Sequence, residues 1–245
     1  MVRIINLESK KKASFYAAVE VIKQIDLKKD SVLGLATGGT MLDLYEQLND
    51  LLKLNNMDLS KVKTFNLDEY IHLSVNHDQS YKTYMYHNFL KFNDTFNEKN
   101  FFIPNGNAED LNSEVRRYEG LIENNGPINL QILGIGENGH IGFNEPGTSF
   151  SSRTHIIELE NSTIKANSRY FNDIEEVPSQ AITMGISTIL KAEKIILLAF
   201  GENKRSALNK LMTGEIDESL PASILNQHSN VEVLVDNEAL GIAKI

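Results

Sequence analysis

A glycine-rich loop carries the side chains of this sequence that are best suited to proton transfer. The loop runs from Gly134 to Pro146 and holds Asn138, His140 and Glu145. Histidine changes its charge near neutral pH, and a nearby carboxylate can orient it as an acid or a base. A histidine on its own is more often structural, so the prediction depends on the amide and the carboxylate beside it. Together the three side chains predict acid–base chemistry.

The glycines of this loop also match the dinucleotide-binding pattern G-x-G-x-x-G at Gly134, Gly136 and Gly139. That pattern needs a helix directly after it, because the helix N-terminus holds the pyrophosphate. Here Gly142 and Pro146-Gly147 follow, and they prevent a helix of useful length. The context therefore argues against a nicotinamide cofactor and indicates a tight loop that presents polar side chains.

A second segment, Thr37-Gly38-Gly39-Thr40, has the composition of an anion-binding turn. Two glycines let the backbone approach a ligand, the threonines offer hydroxyl groups, and a following helix supplies free amides. The segment is equally typical of an ordinary strand–helix turn with Thr40 as the N-cap, and both interpretations stand. It is not a Walker loop, because no Gly-Lys-Ser/Thr follows.

An acidic pair, Asp68 and Glu69, directly follows a buried apolar strand. Acidic pairs usually lie on the solvated surface. The location of Asp68 favours a role in the active site, because it falls two residues past the strand, at the carboxyl end where parallel sheets bind ligands. A carboxylate with reduced solvation at such a place can act as a general base.

Behind these loops the chain alternates between apolar strands and amphipathic helices. The apolar runs lack a period of two, which is typical of strands covered on both faces. We predict strands at Ser31–Ala36, Val62–Asn66, Ile128–Gly134, Lys194–Gly201 and Val231–Asp236. We predict helices at Ser9–Ile25, Thr40–Leu54, Asp110–Ile122 and Asn203–Met212.

This alternation predicts right-handed βαβ units and an α/β fold with a doubly wound, mainly parallel sheet. Helices should cover both faces, as in Rossmann-like proteins, in a single domain over residues 1–245. In the first predicted helix the apolar stripe consists of Phe15, Val19, Ile22 and Ile25.

Composition excludes several classes of function. The formal charge of -9 argues against nucleic acid as a partner, although a local basic pocket can still bind a small anion. The longest apolar run, Ile195–Phe200, is far too short to span a membrane. The absence of cysteine and of a signal-like N-terminus favours the cytoplasm. His72 and His77 lack helical spacing and a clear third ligand, so no metal site is expected.

Five segments, taken together in their order and spacing, resemble the glucosamine-6-phosphate deaminase family over nearly the whole chain. They are Ala36–Thr40, Phe65–Tyr70, Gly134–His140, Phe143–Pro146 and Ala166–Arg169. The resemblance implies that glucosamine 6-phosphate and water become fructose 6-phosphate and ammonia, without a cofactor. Aldose–ketose isomerisation is coupled in this reaction to loss of the amine.

The resemblance also implies roles for single residues. His140, held by Glu145 and Asn138, would move a proton between the O1 hydroxyl and the ring oxygen O5 to open the sugar. Asp68 would carry a proton from C2 to C1 through an enolamine. The phosphate would bind to the Gly38-Gly39-Thr40 turn, Arg169 and Lys204.

Two departures from the family pattern qualify the resemblance. Larger members of the family have Asp where this chain has Asn138, which can hold His140 but cannot take up a proton. Met41 replaces a proline that often follows the turn, and we expect this to change backbone stiffness more than chemistry.

The polar segment Thr148–Pro178 is predicted to be a lid over the sugar, with a permanently packed helical excursion as the alternative.

The chain resembles the small, non-allosteric members of the family. Regulated members continue the shared Ser152-Arg153-Thr154 segment with basic residues that hold an activator phosphate between subunits. Here His155 and Ile157 occupy those positions, and the chain stops at Ala243-Lys244-Ile245 where regulated members have a longer tail. We therefore expect a monomer or small homo-oligomer that N-acetylglucosamine 6-phosphate does not activate.

Two rival functions are kept open. A 6-phosphogluconolactonase shares the fold and a similar glycine–histidine loop, but it would not predict the Asn66–Tyr70 cluster or the Phe143–Pro146 segment. A non-catalytic sugar-phosphate sensor would usually carry an attached DNA-binding helix pair. This chain starts directly with a predicted strand and is acidic.

Overall fold

The computed structural model of the chain describes residues 2–242. Met1 and residues 243–245, with the predicted short C-terminal tail, lie outside the described residues. The strands are β1 (Arg3–Asn6), β2 (Val32–Leu35), β3 (Lys63–Asn66), β4 (Asp68–Tyr70), β5 (Phe101–Phe102), β6 (Leu130–Gly134), β7 (His155–Glu158), β8 (Gln180–Thr183), β9 (Ile195–Ala199) and β10 (Val231–Val235). The helices are α1 (Lys10–Leu27), α2 (Leu42–Leu54), α3 (Tyr81–Asn88), α4 (Leu111–Asn125), α5 (Asn161–Asn167), α6 (Ile186–Ile189), α7 (Arg205–Met212) and α8 (Asn237–Leu240).

Seven parallel strands form the main sheet in the order β1-β10-β9-β6-β2-β3-β5. From β2 the chain builds outward through β3 and β5. It then returns to place β6 on the other side of β2, and continues through β9 and β10. The order therefore reverses between β2 and β6, and such a switch point opens a crevice at the carboxyl ends of the strands. This confirms the predicted doubly wound α/β fold.

The core forms because both faces of this sheet are covered by helices. Strands β2, β9 and β10 are buried along their whole length, which explains why their sequences are apolar except for Glu232 of β10, which pairs with Lys194. All five predicted strands are present, with ends that differ from the prediction by at most two residues. No helix within residues 2–242 is both long and apolar enough to cross a bilayer.

The structure decides between the two interpretations of the Thr40 turn, and it corrects one predicted detail of α1. Helix α2 starts at Leu42 with Met41 at the N-cap position, and no side chain caps it. Thr40 is therefore not the N-cap, and it lines a cavity instead. In α1 the buried residues include Ala13, Ala17 and Val21, whereas Phe15 of the predicted stripe is 47% exposed.

A second sheet, which the sequence did not predict, consists of three antiparallel strands in the order β4-β8-β7. Its strand β4 begins two residues after β3 ends, and Asp68 pairs with Thr183 of β8. The acidic pair thus belongs to a strand rather than to a loop. Strand β7 and helix α5 both lie within the segment Thr148–Pro178, so this segment is largely folded.

Candidate active site

A cavity of about 670 Å³ lies beyond the carboxyl ends of β2 and β6, at the switch point of the main sheet. The loops after these two strands form part of its wall, as expected for an open α/β sheet. Predicted site residues that line it are Thr37, Gly38, Gly39, Thr40, Asp68, Asn138, His140, Arg169 and Lys204. Glu145 does not line the cavity but lies behind His140.

Asp68 enters the cavity from the first position of β4 and is only 6% exposed. Burial, assisted by the charge of the adjacent Glu69, raises the pKa of Asp68 to about 8. A Cβ added to Gly142, which has a φ of +57°, would lie 3.5 Å from Asp68 Oδ2. The positive φ favours glycine at this position, and the histidine loop passes within van der Waals distance of the carboxyl group.

Glu69 is also buried, but it faces a different environment. It accepts backbone N–H bonds of 3.0 Å each from Tyr70, Tyr81 and Lys82. Two of these donors are the first residues of α3, where free amides favour a carboxylate. Burial raises the pKa of Glu69, although the three N–H bonds oppose this shift. Glu69 thus joins β4 to α3, and Asp68 remains the cavity carboxyl of the pair.

His140 is packed over the backbone of its own loop. A Cβ on Gly136 would come within 2.4 Å of the imidazole ring, so only glycine allows this position. The Nδ1 atom lies 3.4 Å from Glu145 Oε2. Within residues 2–242 it has no well-aligned hydrogen bond. The ring therefore has a carboxylate on one side and the cavity on the other.

Glu145 is 3% exposed and is surrounded by donors. Asn138 Nδ2 donates to Oε2 at 2.8 Å, and Thr163 Oγ1 donates to Oε1 at 2.5 Å. Burial by itself would raise the pKa of Glu145, but the interactions with His140, Thr163 and Asn138 outweigh it and the pKa is lowered. Glu145 is therefore a carboxylate positioned to stabilise a protonated His140.

Two cations lie at another part of the cavity wall. Lys204 follows β9 in a short 3₁₀ turn and is half-buried. Burial lowers the pKa of Lys204, as does the positive charge of Arg169, while Glu137 opposes the shift. Arg169 is exposed on a 3₁₀ turn after α5, where its Nε donates to Ala166 O at 2.6 Å. A local positive region thus exists in a protein of net charge -9.

The turn between β2 and α2 offers backbone groups to the same cavity. Gly38 has a φ of +93°, which favours glycine. A Cβ on Gly39 would lie 2.6 Å from the Tyr170 hydroxyl, so that the ring could not stay where it is. Because no side chain caps α2, the amides at its start are left for an anion.

Several cavity residues were missed by the sequence prediction. Lys10 comes from α1, Thr163 from α5, and Tyr170 from the turn that carries Arg169. Tyr170 directly follows the Ala166–Arg169 segment, so that motif could have indicated that Tyr170 also lies near the cavity. Nothing in the local sequence distinguishes Lys10 from the lysines that follow it.

The histidines considered for a metal site lie apart from the cavity. His72 is exposed with a φ of +62°, and His77 Nδ1 accepts the Gln79 N–H at 3.1 Å. Within residues 2–242 no group of three or more His, Asp or Glu side chains has metal-binding geometry.

The sequence matches known proteins over almost its whole length. A family model described as glucosamine-6-phosphate isomerases/6-phosphogluconolactonase matches residues 9–235. A protein of Staphylococcus saprophyticus named glucosamine-6-phosphate deaminase is 55% identical over 237 residues, 97% of this chain and 98% of that protein. A protein of Staphylococcus aureus with the same name is 54% identical, over 99% of this chain and 97% of that protein.

Solved structures agree with these matches. One described as a monomeric glucosamine-6-phosphate deaminase has a TM-score of 0.96 and 46% identity, covering 99% of this chain and 100% of that one. A 6-phosphogluconolactonase from Leishmania guyanensis has a TM-score of 0.77 at 18% identity, covering 98% of this chain and 97% of that one, and it shows a shared fold alone. The chain therefore belongs to the glucosamine-6-phosphate isomerase/6-phosphogluconolactonase family.

Proposed function

We propose that this chain converts glucosamine 6-phosphate and water into fructose 6-phosphate and ammonia. The observation that carries the proposal is the arrangement of one cavity, which combines the buried Asp68 and the His140–Glu145 pair with the cations Arg169 and Lys204. Relatives of 54–55% identity bear the name of this activity.

Ring opening is assigned to His140. The sugar must lose the O1 proton and gain one on the ring oxygen, and an imidazole can do both near neutral pH. Because Nδ1 faces Glu145, the Nε2 atom is the one that can reach the substrate. The carboxylate stabilises the imidazolium that forms in transit, and Asn138 orients the carboxylate through its 2.8 Å hydrogen bond.

Isomerisation is assigned to Asp68. In the open-chain sugar it removes the proton from C2 to give an enolamine, and it returns the proton to C1 to give an imine at C2. Water then hydrolyses the imine, releasing ammonia and the ketose. The pKa of about 8 makes Asp68 a stronger base than an exposed aspartate. A substrate ammonium close to Asp68 would favour its ionised form.

Phosphate binding is assigned to the turn from Thr37 to Thr40 with Arg169 and Lys204. The guanidinium can bind two phosphate oxygens at once, and the ammonium acts as a point charge. Binding the far end of the sugar can position its C1 and C2 atoms for the proton transfers.

The segment Thr148–Pro178 is proposed to cover the bound sugar. Its helix α5 and the turn that follows contribute Thr163, Arg169 and Tyr170 to the cavity wall. A segment that carries both a phosphate ligand and a partner of Glu145 is well placed to close over the substrate. We also infer a cytoplasmic monomer, in line with the monomeric relative of 46% identity and the absence of cysteine.

The test is incubation of the purified protein with glucosamine 6-phosphate while ammonia and fructose 6-phosphate are followed together. We expect both products in equal amounts and no hydrolysis of 6-phosphogluconolactone beyond the spontaneous rate. Lactone hydrolysis without ammonia release would favour the rival enzyme. Tight sugar-phosphate binding without either reaction would favour a sensor.

A further inference from the structure

Lys10 reaches the anion-binding turn from a different part of the chain. It is the first residue of α1, whose N-cap is Ser9. Its Nζ donates to the carbonyl oxygen of Gly39 at 3.1 Å and lies 3.4 Å from Asp43 Oδ2. Lys10 also lines the cavity, although it belongs to none of the motifs that point to the activity.

The bond to Gly39 constrains the direction of the peptide groups in the turn. Tyr84 Oη donates to the Gly38 carbonyl at 2.9 Å, and Lys10 holds the next carbonyl in the same way. In a trans peptide the C=O and the following N–H point in opposite directions. The N–H groups of Gly39 and Thr40 therefore point away from these two donors. Neither N–H has a hydrogen-bond partner within residues 2–242.

Fixed, unpaired N–H groups are what a phosphate requires from a backbone turn. A carbonyl that rotated toward the anion would instead repel it. The hydrogen bond from the Lys10 ammonium disfavours this rotation at Gly39, and Lys10 adds a third positive charge to those of Arg169 and Lys204 in the cavity wall. The side chains of Lys10 and Asp43 are each 36% exposed, so the ion pair between them is weak. It does not draw the Lys10 ammonium away from the turn.

We propose that Lys10 is a positioning residue for the phosphate end of the site, acting through the Gly39 carbonyl and through its charge. This inference rests on the proposed function, since the anion in question is the phosphate of the substrate.

The first experiment compares Lys10→Met, which removes donor and charge, with Lys10→Arg, which keeps both. For Lys10→Met we expect KM for glucosamine 6-phosphate to rise about 3- to 10-fold, which corresponds to the loss of one hydrogen bond. We expect kcat to change less than about twofold. Lys10→Arg should restore most of the affinity. Loss of a purely structural contact would instead lower the melting temperature and leave KM unchanged.

The control is Lys11→Met, which makes the same charge change on the next residue of α1. Lys11 is exposed and does not line the cavity. We expect it to leave KM at the wild-type value. An equal rise of KM in the Lys10 and Lys11 variants would overturn the proposal, because it would reflect net charge alone.

A binding measurement separates this inference from the proposed function. Calorimetric titration with fructose 6-phosphate and with inorganic phosphate needs no turnover. We expect Lys10→Met to bind both anions more weakly than wild type by a similar factor. Wild-type affinity in the variant would overturn the role of Lys10, even if deaminase activity is present. A protein without deaminase activity that still shows the weakened binding would overturn only the proposed function.

Discussion

Asp68 and Glu69 are neighbours in sequence that the structure places in opposite situations. Successive side chains of a strand point to opposite sides. Glu69 receives three backbone N–H bonds, while Asp68 accepts no hydrogen bond from the side chains or backbone of residues 2–242. A buried carboxylate without donors costs folding free energy. That cost is typical of a group that is kept for reactivity.

Replacing the proposed base should abolish turnover. For Asp68→Asn we expect kcat to fall by about 10²–10⁴-fold, the usual effect of losing a positioned acid or base, with sugar-phosphate binding largely intact. Steady-state kinetics and a fructose 6-phosphate titration measure the two effects. The exposed Asp94→Asn is the matched control. A variant at position 68 with half of the wild-type activity would contradict the assignment.

The same variant should change how stability depends on pH. The pKa of Asp68 is about 8 in the folded protein, above its ordinary value of 3.8, so the folded state binds this proton more tightly than the unfolded state. The contribution of Asp68 to stability is therefore lost as pH rises from about 4 through 8, at about 1.4 kcal/mol per unit of pKa shift. Asp68→Asn should melt several degrees higher than wild type at pH 8.5 and at nearly the same temperature at pH 4.5. If the melting temperatures of the variant and the wild type differ by the same amount at pH 4.5 and at pH 8.5, the raised pKa of Asp68 is contradicted.

His140 and Asn138 differ in what they can do with a proton. Only the imidazole can accept and release a proton near neutral pH. Asn138 instead donates to Glu145 through Nδ2 and accepts the backbone N–H of His140 at 3.2 Å. His140→Gln should therefore reduce kcat/KM more than Asn138→Ala. Comparing the two variants with glucosamine 6-phosphate tests this order. If Asn138→Ala is the slower enzyme, the division of roles is wrong.

At the scale of elements, the site is assembled where separate strands end. Strands β2 and β6 end at the anion-binding turn and the histidine loop, and β9 leads to Lys204. Helix α5 and its following turn add Thr163 and Arg169 from the proposed lid. The proposed phosphate site therefore depends on three segments that are distant in sequence: the turns after β2, after α5 and after β9.

Neutralising either cation should weaken substrate binding. For Arg169→Ala or Lys204→Ala we expect KM to rise about 10- to 100-fold, in keeping with the loss of a charged hydrogen bond. Lys165→Ala, an exposed cation on α5 that does not line the cavity, is the control. Unphosphorylated glucosamine should be a very poor substrate of the wild type. Equal kcat/KM for glucosamine and glucosamine 6-phosphate would contradict the role of the turn from Thr37 to Thr40 in binding the phosphate.

At the scale of the whole molecule, Arg153 is engaged in an internal network. Its Nε donates to Glu119 at 3.2 Å, and a second nitrogen pairs with Glu123. Glu119 also accepts hydrogen bonds from Thr154 and Thr188, which outweigh its burial and lower its pKa. The network connects α4 to the second sheet. The Arg153 side chain is 54% exposed, but its charge is balanced by Glu119 and Glu123, and these carboxylates oppose the binding of an effector phosphate.

We therefore predict hyperbolic kinetics without activation by N-acetylglucosamine 6-phosphate. Allosteric activation requires a second site with a preference for one state. The positions that follow Arg153 and Thr154 are His155 and Ile157 of β7, which offer no permanent positive charge. Substrate titrations with and without the acetylated sugar phosphate test this. A sigmoidal curve that becomes hyperbolic with the effector would contradict the prediction.

The sequence by itself determined five of the seven strands of the main sheet and the segments that carry the chemistry. Buried parallel strands are largely apolar, so their positions follow from local composition, and all five predicted strands were found. The rule that ligands bind at carboxyl ends then placed the three clusters of polar residues together, and the structure brings them to one cavity. The family predicted from the motifs was confirmed by the relatives.

Only the tertiary structure decided features that depend on contacts between distant residues. The sequence could not show which carboxyl of the acidic pair faces the cavity, because β4 pairs with β8, more than a hundred positions away. Nor could periodicity show that α1 buries Ala13 and Ala17 rather than Phe15, since small residues let a helix pack closely on its neighbours. The contact of Lys10 with Gly39 likewise joins two helix–loop units whose spacing is set by packing alone. Such positions are fixed by long-range packing, which no local pattern records.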